Sequence, residues 1–293
     1  MRVFITGATG LIGSAVTAEL LSAGHTVTAL TRSDASAVRA ATAGADILRG
    51  GLADLEILRS GAEQADGVIH LAFSNDFSSP ETLARGIAEE SAALATLGAS
   101  LVGTGKPLVT VSGTPHVIGR ASTEDDPLPT DGPVGGRGVS VTRTLELASE
   151  DVRSSAVRLP RTVHNQGKGG FAGILTQSAR QSGIAGYPGD GSQRWPAVHA
   201  LDAAVLFRLA LEKAPAGSSW HAVTDEGDTV RDIVAVIGRR LGLPVKALPM
   251  EDFGPLGPVF AADQPASATR TRAELGWEPT RPSLLADLEN IEA

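Results

Sequence analysis

Residues 6–13 read Thr6-Gly7-Ala8-Thr9-Gly10-Leu11-Ile12-Gly13, a Gly-x-x-Gly-x-x-Gly loop between a β-rich run and a helical run. Glycine in such a loop permits the tight turn, lets the backbone approach a ligand and lets the helix pack closely on the strand. The free N–H groups and the dipole at the helix N-terminus suit phosphate. Gly7, Thr9, Gly10, Leu11, Ile12 and Gly13 are therefore expected to cradle the pyrophosphate of a dinucleotide. The next β-rich run ends Leu30-Thr31-Arg32-Ser33. A carboxylate there would accept from a ribose 2′-hydroxyl, and none is present at the tip. Arg32 can stack on adenine and pair with a 2′-phosphate, with Ser33 donating a hydrogen bond. The alternative is an exposed arginine at a strand end, with Asp34 free to cap the helix that follows. NADP(H) is thus favoured over NAD(H).

Other chemistries fall away with what the chain lacks. It has 293 residues and no cysteine, which removes disulfides, thiol nucleophiles, Cys-zinc sites and iron–sulfur clusters. The histidines, at 25, 70, 116, 164, 199 and 221, show no metal-site spacing. No Gly-x-Ser-x-Gly elbow follows a strand, and Gly167-Lys168-Gly169 lacks Walker spacing. The net charge of −8 argues against a nucleic-acid backbone as partner. No apolar run reaches the roughly 18 residues of a membrane span. Met1 leads directly into a strand, without a basic and apolar leader. The expectation is a cytoplasmic protein with a small-molecule substrate, no metal, and no nucleic-acid or membrane partner.

These residues need elements to position them. Short β-rich runs at Arg2–Thr6, Thr26–Thr31, Ala45–Leu48, Gly67–Ala72, Pro107–Ser112 and Ser154–Leu159 alternate with helical patterns. The helices are expected at Leu11–Ala23, 35–43, 54–63, 81–104 and 140–151, with 115–138 irregular and polar. Such alternation implies an α/β fold with a parallel, doubly wound sheet. After Pro160 the pattern loosens. Helices at 202–213, 229–241 and about 281–291 are separated by short strands at 219–223 and 245–248. The expected division is a dinucleotide-binding domain over 1–160 and a smaller C-terminal α+β substrate lobe over 161–293, with a soft boundary that the chain can cross back over.

The glycine loop, Val68-Ile69-His70-Leu71-Ala72, Val111-Ser112-Gly113-Thr114, Val157-Arg158-Leu159-Pro160 and Trp195-Pro196-Ala197-Val198-His199 together resemble the extended and atypical short-chain dehydrogenase/reductases. That group is the NAD-dependent epimerase/dehydratase superfamily, and the likeness covers nearly the whole chain. It implies a Rossmann-like sheet, adenine contacts near Gly51 and Leu52, and ribose or nicotinamide contacts from Leu71, Ala72 and Phe73. Many members carry an Asp where Gly51 stands, so here only backbone contacts remain. The resemblance also implies a catalytic hydroxyl at Thr114 and a downstream Tyr-x-x-x-Lys. Counting on by the family's spacing meets Val139 and Arg143 instead. Valine has no proton to give, and arginine keeps lysine's charge without being an acid. The sole tyrosine is Tyr187.

Without the tyrosine, the chain either binds the cofactor without chemistry or draws its proton elsewhere. Thr114 can polarise a substrate oxygen or simply cap backbone. Arg143 can hold ribose hydroxyls or sit on a solvated helix face. Pro160 is expected beside the nicotinamide, with Arg161 binding cofactor phosphate or substrate, or simply exposed. His164, at a strand exit beside a Gly-rich loop, is a candidate proton donor or a structural histidine. Tyr187, Arg194 and Trp195 are candidate substrate contacts. The reading is an NADP(H)-dependent oxidoreductase acting on a small carbonyl, imine or enone compound. A sugar-nucleotide epimerase or dehydratase and a non-catalytic redox sensor are its rivals. A monomer or a homodimer is expected; the resemblance implies pairing through the 81–104 and 140–151 helices, whose apolar faces could equally cover the sheet.

Overall fold

The computed structural model describes residues 1–74, 76 and 79–292. The first half alternates strand and helix: β1 (Arg2–Thr6), α1 (Leu11–Ser22), β2 (Thr26–Thr31), α2 (Asp34–Thr42), β3 (Asp46–Arg49), α3 (Leu55–Gln64), β4 (Gly67–His70), α4 (Pro80–Ala99), β5 (Pro107–Gly113), α5 (Gly135–Glu146) and β6 (Arg153–Leu159). The second half adds β7 (Thr162–His164), α6 (Gly170–Ser182), β8 (Ala185–Pro188), β9 (Arg194–His199), α7 (Ala200–Lys213), β10 (Ser218–His221), β11 (Asp225–Thr229), α8 (Val230–Leu241), β12 (Val245–Leu248), α9 (Gly257–Ala261), α10 (Thr269–Leu275) and α11 (Leu284–Leu288).

Alternation along β1 sets up both faces of the sheet. Val3 and Ile5 bury toward α1 and α7, where they meet Val16, Leu20, Leu206 and Phe207. Phe4 buries the other way, with Leu58 of α3 and Leu97 of α4. A strand buried on both faces belongs at the centre of a parallel sheet covered on both sides. Seven parallel strands run in the order β10-β6-β5-β4-β1-β2-β3. The winding reverses between β1 and β4, and in such sheets the ligand crevice opens there, beyond the strands' C-terminal ends.

A three-stranded sheet (β11-β9-β7) and a β12-β8 pair build a smaller unit over those ends. Its core holds Trp195, Ile233, Ile237, Phe260, Leu284 and Leu288. The strand expected at 219–223 is β10, which pairs with β6 as the edge of the main sheet. Helix α7 likewise packs on the main sheet's core. Residues 200–221 therefore return to the large sheet, and 161–293 is not one continuous lobe. Helix α4 stops at Ala99 rather than 104, and α5 starts at Gly135, inside the stretch expected to be irregular.

Two buried imidazoles tie the sheet together and make its stability depend on pH. Thr6 Oγ1 accepts from the N–H groups of Leu71 and Ala72 at 3.2 Å each, so its hydroxyl proton points to His70 Nδ1 at 2.9 Å. Burial, helped by the nearby Arg137 cation, pushes the His70 pKa down to about 3. Burial also pulls His221 down to about 4, with Glu124 opposing. Both are neutral when folded, whereas an unfolded histidine takes up a proton below about pH 6.5. Folding stability should therefore be full above about pH 6.5. It should fall below that by about 1.4 kcal/mol per unit for each histidine. The loss should level off near pH 4 for His221 and near 3 for His70. Urea unfolding between pH 7 and 5 reads this slope, and a flat profile would mean that these imidazoles are solvated or charged in the folded protein.

Candidate active site

Each glycine of the first loop meets a different demand. Gly7 has φ +76°, and a Cβ on it would lie 2.8 Å from the Ala72 backbone nitrogen. A Cβ on Gly13 would lie 2.0 Å from the Gly7 carbonyl oxygen. Gly10 differs: its φ is −75°, and a Cβ there would make only an ordinary 3.6 Å contact with the Gly7 oxygen. Nothing within the chain requires glycine at position 10. It is also the residue that starts α1, with no side-chain cap and no acidic residue in the first turn. Thr9 and Ile12 are half-buried beside it, and Leu11 is exposed.

Around the rim, Arg32 is exposed and makes no ion pair among the described residues. Its aliphatic stem lies beside Gly51. Ser33 caps α2: its hydroxyl oxygen accepts from Ser36 N at 3.2 Å. Asp34 is ion-paired with Arg49 at 2.5 Å rather than capping. The Gly51 N–H donates to Asp54 Oδ2 at 2.8 Å, so that amide is already engaged, and Leu52 packs against the core. Leu71, Ala72 and Phe73 follow β4, half-buried at the crevice. The Arg137 guanidinium stacks 3.9 Å from the Phe73 ring centre.

A cleft of about 410 Å³ lies at the ends of β5 and β6. Gly113, Thr114 and His116 line it from β5, Leu159, Pro160 and Arg161 from β6, and Val134, Arg137 and Gly138 from α5. Phe171 of α6, Gln264 and the Leu128-Pro129 segment complete it. Thr114 is held by its backbone: its N–H donates to Leu159 O at 2.9 Å, and its carbonyl accepts from Gln264 Nε2 at 2.6 Å. Its Oγ1 is buried and has no partner. Arg137 is neutralised by Glu90, with bonds of 2.7 and 2.8 Å. Arg161 donates to two neutral oxygens, Val259 O at 2.7 Å and Gln264 Oε1 at 2.5 Å. Burial pulls its guanidinium down to about 10, and it stays charged at neutral pH.

Several expected site residues stand elsewhere. His164 on β7 is 1% exposed, its Nδ1 2.9 Å from Asp287 Oδ2 and its ring edge-on to His199. It lines no part of the cleft, so its chain position at a strand exit does not make it a proton donor to a substrate there. Helix α5 presents Val134, Arg137 and Gly138 to the cleft, not Val139, and Arg143 is exposed in the last turn. Gly135 and Gly138 explain the register. A Cβ at 138 would be 2.0 Å from Pro129 O, and one at 135 would be 2.5 Å from the Thr130 carbonyl carbon. Trp195 is fully buried against Phe171 and Phe260, and Tyr187 packs over Gly191. Arg194 lines a second groove of about 580 Å³ with Asp190 and Asp263, and is ion-paired to Asp263 at 2.8 Å. Reading the sequence overlooked Arg137, His116 and Gln264. His116, two residues past Thr114 at a strand end, was within reach of the motif; Gln264 carried no local signal. Among the described residues, no group of three or more His, Asp or Glu could hold a metal ion.

The comparisons with known proteins agree with this geometry. The family model "NAD dependent epimerase/dehydratase family" matches residues 3–223. An uncharacterised protein of Schizosaccharomyces pombe is 41% identical over 98% of both chains. A 3-diazoavenalumate denitrifying reductase of a Streptomyces species is 30% identical over 97% of both. Among solved structures, UDP-glucose 4-epimerase of Thermotoga maritima with UDP-glucose superposes with TM-score 0.81 at 20% identity, covering 99% of this chain and 97% of the other. The Thermus thermophilus UDP-glucose 4-epimerase complex with NAD gives 0.77 at 19%, over 99% and 97%. At those identities the likeness concerns the fold. With the glycine loop at the switch point of a parallel sheet and a family model covering most of its length, the chain belongs to the NAD-dependent epimerase/dehydratase family.

Proposed function

We propose that this protein is an NADP(H)-dependent oxidoreductase that moves a hydride to or from a small carbonyl, imine or enone compound in the 410 Å³ cleft. The observation that carries the reading is the unobstructed Gly10 at the start of α1, at the switch point of a sheet whose β5 and β6 ends carry a cleft bounded by Thr114 and Pro160. Glycine at 10, which no neighbour in the chain requires, fits a pyrophosphate seated on the start of α1. The exposed, unpaired Arg32 fits a 2′-phosphate better than a bare ribose hydroxyl. The relative from Streptomyces is named a reductase, in the same sense.

When bound, the nicotinamide supplies or accepts the hydride. The chain's own residues do the rest. The unpartnered Thr114 Oγ1 holds the substrate heteroatom. A carbonyl or imine that gains hydride must also gain a proton, and the cleft has no tyrosine, lysine or carboxylate among its described lining residues. Arginine does not give up its proton there. Histidine is the one side-chain type in that lining able to do so near neutral pH, so His116 is the proton donor in this reading. The second groove, with its two aspartates and a neutralised Arg194, offers little to a nucleotide diphosphate.

The phosphate cradle is tested by a pair of variants. Gly10→Val should fold normally and lose NADPH binding in calorimetry, whereas Gly13→Val should lower the melting temperature sharply. Undiminished NADPH affinity in Gly10→Val would rule out the cradle.

Cofactor choice is tested by Arg32→Asp. A charge-assisted contact to phosphate contributes about 1.5–3 kcal/mol, so NADPH affinity should drop roughly tenfold or more, with NADH affinity steady or improved. Equal losses for both cofactors would show that Arg32 does not read the 2′-phosphate.

The proton route is tested with His116→Ala, which should lower kcat by about 10²-fold and erase the decline of rate with rising pH. His164→Ala should act on stability instead, through the loss of its Asp287 bond. Full activity in His116→Ala would sink this assignment, and a silent Thr114→Ala as well would favour a non-catalytic cofactor sensor.

A further inference from the structure

Charge in the cleft is unbalanced in one place. Arg137 has its carboxylate in Glu90, but Arg161 has no acidic partner among the described residues. Arginine carries five N–H donors, and the described bonds of Arg161 go to one backbone carbonyl and one amide oxygen. Its Nε is sealed from solvent without any partner. Phe171 and Trp195 flank the guanidinium at 5.3 and 5.9 Å, replacing water with ring faces. A cation removed from water without a counter-ion is costly, by several kcal/mol per ion. The rest of the chain, with a net charge of −8, supplies no carboxylate here. Gln264 links the two sides of the cleft: its oxygen takes Arg161 and its nitrogen holds the Thr114 carbonyl, so the cation and the unpartnered Thr114 hydroxyl share one rigid frame.

We propose that the substrate is a carboxylate with an otherwise apolar body, its anion held by Arg161 while its reacting group faces Thr114. This rests on the reading of the cleft as the substrate site of an oxidoreductase. The apolar body is called for by Leu128, Pro129, Val134, Leu159 and Phe171 around the cation. The small size follows from a cleft of about 410 Å³ that must also admit the nicotinamide. A phosphate-bearing substrate would present an anion too. The second groove carries Asp190 and Asp263 and offers such an anion no free cation, its Arg194 being paired with Asp263. A carboxylate, with one charge, matches the single uncompensated guanidinium, whereas a phosphate monoester brings about 1.5 to 2 negative charges.

Calorimetry on the full chain, alone and saturated with NADP⁺, tests this with benzoate, trans-cinnamate, phenylpyruvate and hexanoate. Each is run beside its neutral amide, with UDP as the phosphate-bearing comparison. At least one carboxylate should bind about tenfold or more tightly than its amide, the gap expected for one charge-assisted contact. Arg161→Gln should close that gap while leaving amide and NADP⁺ affinities unchanged, and Arg161→Lys should keep part of it. If Arg161→Gln melts below the assay temperature, the native gap and the lysine variant decide. The proposal is overturned if no carboxylate outbinds its amide, if the gap survives in Arg161→Gln, or if UDP outbinds every carboxylate. A carboxylate preference in a chain that binds no NADP⁺ would remove the oxidoreductase reading and leave the anion site standing.

Discussion

The Gly7 carbonyl lies so close to the start of α1 that a single methyl group on Gly13 would sit 2.0 Å from its oxygen. That backbone-on-backbone contact, together with the approach of Gly7 to the Ala72 nitrogen, brings β1, α1 and β4 together at one point. Thr6 reinforces it by accepting from the amides after β4. Everything at the crevice follows: the N-terminus of α1 opens where the sheet's winding reverses, and the segments after β4, β5 and β6 fan out from there. Since close packing transmits small volume changes directly, one added carbon at 7 or 13 would displace the whole edge.

A second constraint shapes the far side. The loop after β5 lies against α5 only because residues 135 and 138 have no side chains to meet Thr130 and Pro129. That contact sets which turn of α5 faces the cleft, and so puts Arg137 rather than Arg143 there. From the opposite side, Gln264 reaches 150 positions back along the chain to Thr114. The small unit and the large sheet thus share a wall, which gives a rigid and mostly apolar cleft with one uncompensated cation.

Burial redirects polar residues that look reactive in one dimension. His164 leaves a Gly-rich stretch that suggests an open loop, yet β7 pairs with β9 and Asp287 closes over it. The Asp287 carboxylate engages the His164 Nδ1 and the Gly167 amide together, while the His164 Nε2 is buried without a partner. The Arg194–Asp263 and Asp34–Arg49 pairs are exposed counterparts, in which a neighbour far along the chain, or on the next strand, claims a charge that the sequence left free.

The sequence by itself determined the class of fold and the glycine loop at the start of α1. Strand alternation, such as Val3 and Ile5 against Phe4, is a local period, and the Gly7, Gly10, Gly13 spacing is a local motif, in which Gly13 meets the Gly7 carbonyl. Sequence counting also revealed that one tyrosine exists and that it lies at 187. Only the tertiary structure decided which α5 residues face the cleft, that β10 and α7 return to the large sheet, and that His116, Arg161 and Gln264 meet around Thr114. The physical reason is range. Glycine is a poor helix former, so 135 and 138 read as irregular chain until the loop they accommodate is in place. A hydrogen bond between residues 114 and 264, or a cation lacking its counter-ion, is a property of packing that no local spacing encodes.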